Sequence, residues 1–206
     1  MNNMSDWIKK RKREGYYKKA KREHHRSRAY YKLIHLNDKY KFLNHQVKEV
    51  IDVCCAPGGW IEAIQSVLGN KVFILGIDMN KIKPFDGNFS FLKADITQPE
   101  IKKLLLERFP DKVDLVVADC SMKTSGASNL DVERQNYLVQ CTFENIVKPA
   151  LKKGGHFVAK VFQGRSIYEI KKDFQDHFSF CKFTKPKSSL PSSREMYLIC
   201  KDYMDL

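Results

Sequence analysis

The sequence predicts an α/β domain: a mostly parallel sheet of seven strands, helices on both faces, and an antiparallel hairpin at the C-terminal end. Three observations carry that prediction. Short apolar runs alternate with stretches of helical periodicity through most of the 206 residues, the pattern of a doubly wound parallel sheet. The run Val50-Ile51-Asp52-Val53-Cys54-Cys55 passes through Ala56-Pro57-Gly58-Gly59-Trp60 into the amphipathic stretch from Ile61 to Leu68, which reads as strand, small-residue turn and helix. The last two apolar runs, Phe180 to Phe183 and Glu195 to Cys200, have only a Pro/Ser-rich loop between them. They therefore pair directly as a hairpin.

Taken in order, Ser5 or Asp6 caps a basic helix running to about residue 23, with Gly15 as its weak point. A second helix fits Ser27 to Tyr40, with Tyr30, Leu33, Ile34 and Asn37 on one face. After the Gly-Gly helix, Val72 to Ile77 is a strand ending at Asp78, followed by the turn-rich stretch from Lys83 to Asn88. Phe89 to Ala94 is a short strand ending at Asp95, and Thr97 begins a helix to about Phe109. Val113 to Ala118 is an apolar strand ending at Asp119, and a polar loop runs from Cys120 to Asn129. Asp131 to Lys152 reads as one long helix, bent or ended near Pro149. Lys153-Gly154-Gly155 turns into the strand that carries Lys160, and Ile167 to His177 is the last helix.

Composition narrows the class of function. With 43% hydrophobic residues the chain can bury a real core. No apolar stretch approaches the ~20 residues that span a bilayer, and a basic run follows the N-terminus where a signal peptide would be apolar. A cytoplasmic monomer without a membrane partner is expected. Six cysteines, at 54, 55, 120, 141, 181 and 200, show no C-x-x-C pair and no zinc spacing. Neighbouring Cys54 and Cys55 do not bridge each other, so buried thiols in a reducing compartment are expected. Charge is lopsided: residues 1–48 hold 15 Lys/Arg against 4 Asp/Glu, and so carry +11 of the formal +13. Tyr16, Tyr17, His24, His25, Tyr30 and Tyr31 are interleaved with those cations, which reads as a phosphate-binding surface with base-stacking groups. A solvated helix, a localisation signal at Lys9-Lys10-Arg11-Lys12-Arg13, or an anionic surface would leave the same charge pattern.

In open parallel sheets the ligand lies outside the carboxyl ends of the strands. Four strands here end in, or carry near their ends, Asp78, Asp95, Asp119 and Lys160. Asp78 lies 19 residues after Gly59, the offset at which an acidic side chain holds a nucleoside's ribose hydroxyls. The Gly-Gly turn reads as a place where ligand approaches backbone, beside the free N–H groups of a helix N-terminus. Lys160 is out of pattern in an apolar strand. A solvent-facing edge would explain it. Pointing into the site among other cations, it could instead serve as a general base, with Asp119 holding it.

Several longer motifs then resemble one family. Ser27-Arg28-Ala29-Tyr30-Tyr31-Lys32-Leu33, Asp52 to Trp60, Lys93-Ala94-Asp95-Ile96-Thr97, Ala118-Asp119, Ser125-Gly126, Lys153 to Gly164 and Ser192 to Tyr197 resemble, in order and spacing, the FtsJ/RrmJ (RlmE) family of S-adenosylmethionine-dependent RNA ribose 2′-O-methyltransferases. The resemblance implies a Rossmann-like class I methyltransferase fold, with residues 1–26 as a basic extension contacting RNA and residues 27–206 as the methyltransferase domain. It implies a catalytic set at Lys32, Asp119, Lys160 and Glu195. Gly58, Gly59 and Trp60 would wrap the methionine part of S-adenosylmethionine, Asp78 its ribose and Asp95 its adenine, with Asp119 also at the cofactor and no metal. Two motifs depart from the family: Asp119-Cys120-Ser121-Met122-Lys123 stands where Asp-x-Ala-Pro-Asn is common, and Ser189-Leu190 where Ser-Arg is common. Gly-Gly-Trp resembles the large-subunit rRNA enzymes, so a uridine of that rRNA, within the large ribosomal subunit, is the expected target. A tRNA anticodon-loop or mRNA-cap ribose, or a non-catalytic RNA-binding module on the same fold, are the alternatives.

Overall fold

A computed structural model describes residues 15–122, 128–164, 166–189 and 193–205. The basic run at residues 9–13, the expected cap at Ser5 or Asp6, and the Ser125-Gly126 motif lie outside the described residues. Helical residues 15–22 (α1) precede α2 (Ala29–Tyr40), β1 (Glu49–Val53), α3 (Gly59–Leu68), β2 (Phe73–Asp78) and β3 (Phe89–Lys93). α4 (Ile101–Arg108), β4 (Val113–Ala118) and α5 (Ser128–Thr142) follow. A π-helical turn at Phe143–Val147 and the short α6 (Lys148–Ala150) lead into β5 (Leu151–Phe162). α7 (Ile167–Gln175), β6 (Phe178–Thr184) and β7 (Glu195–Tyr203) complete the chain.

The strands form one sheet in the order β3-β2-β1-β4-β5-β7-β6. β1 to β5 pair in parallel, while β7 runs antiparallel to both β5 and β6. The expected Rossmann-like α/β fold with its C-terminal hairpin is what the chain adopts. The strand order reverses between β1 and β4, the switch point beside which open α/β sheets leave a crevice.

The runs of β1, β2 and β4 are buried on both faces, as a sandwiched parallel sheet requires, while the edge strands β3 and β6 are partly exposed. Along β4, Leu115 and Val117 join one core with Leu33, Leu36 and Phe42 of the α2 region and Trp60, Ile61 and Ile64 of α3. Val116 and Ala118 join the other, with Leu105, Phe143, Ile146, Ile170 and Phe174. Successive strand residues point to opposite faces, so one run of six serves two helical layers. Among the described residues no helix is long and apolar enough to cross a membrane.

Four elements differ from the sequence reading. The long helix expected to Lys152 gives way at Thr142 to a π turn, in which the Lys148 amide reaches back to the Phe143 carbonyl, and helix ends at Ala150. Pro149 has no N–H to continue the ladder. Lys153-Gly154-Gly155 lies within β5, where the register against β4 shifts and Gly154 takes φ +79°. The helix expected from Thr97 begins only at Ile101, because the Asp95 carboxylate accepts from both the Thr97 amide (3.0 Å) and hydroxyl (2.8 Å) and holds a turn. In α2 the buried positions are Tyr31, Lys32, Leu33, Leu36 and Asn37, so Tyr30 and Ile34 flank the contact face instead of forming it. Asn37 is buried for a local reason: its Oδ1 accepts the Leu43 amide at 2.8 Å and its carbonyl that of Lys41.

At the amino end of the sheet, Asp114 accepts the Lys48 (2.7 Å) and Glu49 (2.9 Å) amides and ion-pairs Lys152, tying the starts of β1 and β5 to β4. Asp114→Ala leaves both amides without that acceptor. A loss of about 3 kcal/mol in unfolding free energy, measured by denaturant titration, is expected, since hydrogen bonds to charged groups contribute ~1.5–3 kcal/mol each.

Candidate active site

The turn after β1 sets the geometry. Cys54 adopts φ +57° and Gly58 φ +112°, and α3 starts at Gly59. The space a side chain would need at these glycines is taken by protein. A Cβ on Gly59 would strike the Ser27 hydroxyl, and one on Gly58 would strike the Phe85 ring. The glycines therefore let the segment before α2 and the loop carrying Phe85 close onto the turn. Arg26 completes this closure. Its guanidinium lies 3.4 Å from the Phe85 ring centre, it donates to the Lys83 (2.7 Å) and Pro84 (2.5 Å) carbonyls, and its amide donates to Glu62 at 2.8 Å.

Two cavities open along the carboxyl rim and share Cys54, Ala56, Asp119 and Ser121 as a common wall. The first, of about 260 Å³, lies over the ends of β2 and β3 and is lined by Asp78, Met79, Asn80, Asp95, Ile96 and Leu138. Asp78 is fixed there because its carboxylate accepts the Ala56 amide at 3.0 Å and the Asn80 amide at 2.7 Å. Backbone and hydroxyl donors from Thr97 hold the Asp95 carboxyl below the usual carboxylate range. Asp95 therefore faces the cavity ionised.

The second cavity, of about 250 Å³, is lined by Arg28, Lys32, Asp52, Gly59, Trp60 and Lys160 around the same wall. Lys160 is 4% exposed, so it faces inward and is no edge residue. Its ammonium sits 3.3 Å from the Asp119 carboxylate and donates to the Asp119 carbonyl at 3.1 Å. Lys32, carried by α2, meets Glu195 at the start of β7 at 2.7 Å. Ser189 donates to the other oxygen of Glu195 at 2.7 Å. Burial pushes the Asp119 carboxyl up, but Lys160, Lys32 and the Tyr197 hydroxyl outweigh it and hold the group below its ordinary value. Lys32, Asp119, Lys160 and Glu195 are thus brought together as two linked ion pairs. Asp78 and Asp95 gather at the first cavity, while Gly58 lies behind the turn. Trp60 is buried and donates its indole N–H to the Ala29 carbonyl at 3.0 Å, which makes it a strut for α2 as well as a wall.

Three features escaped the sequence. Cys54 and Cys120 form a disulfide, with Cα atoms 5.0 Å apart, correcting the expectation that all six cysteines are thiols; Cys55, Cys141, Cys181 and Cys200 are free and buried. The pairing of Val53 with Ala118 places the ends of β1 and β4 side by side, a neighbourhood that a separation of 66 residues conceals. Tyr197 lies opposite Lys160 in the β5–β7 register and donates its hydroxyl to Asp119 at 2.8 Å. Gln135 of α5, fully buried, donates to the Cys120 (2.9 Å) and Lys160 (3.2 Å) carbonyls. It joins the two strand ends that carry the Asp119–Lys160 pair. Polar Gln135 and Asn136 at buried helix positions were the available signal.

A model of the FtsJ-like methyltransferase family matches residues 25–203. A relative from Methanococcus vannielii, named ribosomal RNA large subunit methyltransferase E, is 39% identical over 198 residues, covering 96% of this chain and 76% of its own. One of the same name from Methanosphaera stadtmanae is 36% identical over 203 residues, covering 97% of this chain and 98% of its own. Among solved structures, one from Plasmodium falciparum described as a ribosomal RNA methyltransferase superposes with a TM-score of 0.77 at 29% identity, covering 87% of this chain and 99% of that one.

Asp52 supplies a test of the site's electrostatics. It is buried, its Oδ2 has no hydrogen-bond partner among the described residues, and burial, with Asp119 and Asp78 adding, pushes its carboxyl well above the ordinary 3.8. A carboxyl raised on folding takes up a proton, so its contribution to stability is full below the unfolded value and declines as pH rises toward the folded one. Asp52→Asn is neutral throughout. Its stability relative to wild type should therefore increase as pH rises from about 4 to 8, measured by urea unfolding of the ligand-free protein; a pH-independent difference would refute the buried-charge account.

Proposed function

Since this chain belongs to the FtsJ-like methyltransferase family, we propose that it transfers the methyl group of S-adenosylmethionine to a ribose 2′-hydroxyl of RNA, specifically at a uridine of large-subunit rRNA. The observation that carries this reading is the meeting of the Lys160–Asp119 and Lys32–Glu195 pairs at a cavity sharing a wall with the one lined by Asp78 and Asp95.

The residues fit the cofactor. Asp95 and Asp78 offer carboxylate acceptors to an adenine amino group and to ribose hydroxyls. The orphaned, buried Asp52 oxygen suits an ammonium such as that of the methionine moiety. S-adenosylmethionine supplies a methyl already activated by its sulfonium. What remains for the protein is alignment and the removal of one proton from a weak acid. Once its ammonium has released a proton to solvent, Lys160 accepts the 2′-hydroxyl proton as the oxygen forms its bond to the methyl carbon. When bound, the sulfonium would supply that methyl and take up the electron pair of the carbon–sulfur bond. Asp119 holds Lys160 by the 3.3 Å contact and stabilises the ammonium that forms. Lys32, kept in place by Glu195, presents a positive charge to the developing oxyanion. Gln135 positions Lys160 and Asp119 through the backbone. The basic segment at residues 1–26 supplies the phosphate contacts.

Two measurements test the reading. Lys160→Ala should lower single-turnover methylation by ~10²–10⁴-fold while leaving cofactor affinity unchanged, and Lys160→Arg should fail equally because a guanidinium cannot accept the proton. Near-wild-type turnover by the arginine variant would make Lys160 an electrostatic clamp. Asp95→Ala should weaken cofactor binding by ~1.5–3 kcal/mol in calorimetry. Ribose-methylation mapping of total RNA with and without the protein decides the target, and a difference confined to tRNA would overturn the rRNA assignment.

A further inference from the structure

A cleft of about 400 Å³ runs between α2 and the segment following β6. His35 and Lys39 line it from the helix, and Thr184, Lys185 and Lys187 from the opposite wall. We infer that this cleft is a phosphate-binding groove that carries the RNA strand flanking the target nucleotide away from the reacting ribose. The inference rests on the methyltransferase reading above and adds a subsite to it.

Continuity with the catalytic centre is the first support. Lys32 contacts Glu195 at 2.7 Å, Glu195 accepts from Ser189 at 2.7 Å, and the adjacent Ser188 hydroxyl lies 3.2 Å from the His35 ring. That polar chain leads from the Lys32–Glu195 pair directly into the cleft. Lys32, His35 and Lys39 fall at i, i+3 and i+7 and share one side of α2. Seven residues of helix rise about 10 Å, so the cleft reaches past the nucleotide held at Lys32.

Charge is the second support. Three lysines face a single carboxylate, that of Asp38, across the cleft. Among the described residues neither Lys39 nor Lys187 has an ion-pair partner, and both are exposed. Lys185 is held otherwise, donating to the Ser193 carbonyl at 2.5 Å; it fixes the wall and leaves Lys39 and Lys187 to meet the ligand. Burial lowers the pKa of the His35 ring, Asp38 opposes, and Lys187 and Lys19 lower it further. A groove with exposed ammonium groups on both walls, that of Lys39 lying 5.3 Å from the Tyr40 ring centre, and opening from a ribose site, suits a sugar–phosphate chain.

Lys39→Glu/Lys187→Glu tests this, with Lys102→Glu/Lys103→Glu on α4 as a control of equal charge change. Binding of a short uridine-containing single-stranded RNA is followed by fluorescence anisotropy across a salt series, and cofactor affinity by calorimetry. The cleft variant should lose at least tenfold in RNA affinity, and its slope of log affinity against log salt should fall by ~0.7 for each phosphate no longer neutralised. Cofactor affinity should not change, which excludes misfolding. The α4 control should keep the wild-type slope. An RNA affinity and slope equal to wild type in the cleft variant overturn the groove, even with rRNA methylation intact. Loss of methylation only on assembled subunits, with naked-RNA binding unchanged, would assign the cleft to a ribosomal protein and equally overturn it. Wild type that binds RNA but methylates none would instead remove the reading on which the groove rests.

Discussion

Four carboxylates crowd the carboxyl rim of this sheet, and the buried Lys160–Asp119 pair is what makes that crowding tolerable. Asp119 and Asp78 both push the Asp52 carboxyl up, and burial would drive an unpaired Asp119 toward its neutral form. Lys160 and Lys32 reverse that balance, and the Tyr197 hydroxyl completes it. The consequence is a division of labour among chemically identical groups. Asp119 stays ionised beside Lys160, and Asp95 stays ionised at the first cavity. Asp52, without a cation of its own, bears the cost of desolvation. A cationic group placed against Asp52 would relieve that cost.

Around that rim the chain is closed by contacts that belong to the fold as much as to the site. Ser27 fills the space over Gly59, Phe85 the space over Gly58, and Arg26 fastens the Phe85 loop to the segment before α2. α1 is joined to the same body: Ala20 is buried, the Tyr31 hydroxyl meets Glu23 at 2.5 Å, and the Tyr16 ring lies 5.5 Å from that of Tyr31. The described part of the basic segment therefore reaches the cavities through packed neighbours.

The Cys54–Cys120 bridge and Gln135 act on one place from two sides. The disulfide joins the end of β1 to the residue following Asp119, and Gln135 joins that same residue to Lys160 in β5. Three adjacent strands are thus tied where their side chains must cooperate. An error of an ångström in a reacting geometry costs rate heavily, and these ties fix the backbone that carries Asp119 and Lys160.

The sequence by itself determined the order and type of nearly every element, because strands buried on both faces must be continuously apolar and helices between them must show a 3.6 period. It also determined that Asp78, Asp95, Asp119 and Lys160 share one rim, since parallel strands all point their carboxyl ends the same way. The motifs from Ser27 to Leu33 and from Ser192 to Tyr197 added Lys32 and Glu195, which no periodicity would have joined. Tertiary structure alone decided the rest. Where Pro149 ends its helix depends on a π turn that propensity does not encode. Glycine spacing could not tell that Ser27 and Phe85, not only a ligand, occupy the room over Gly58 and Gly59. The Cys54–Cys120 bridge, the Tyr197 hydrogen bond and the Gln135 sutures all follow from strand register. Register is set by which residues meet across a sheet, and a linear pattern of apolar and polar residues specifies the faces of a strand without specifying its neighbour.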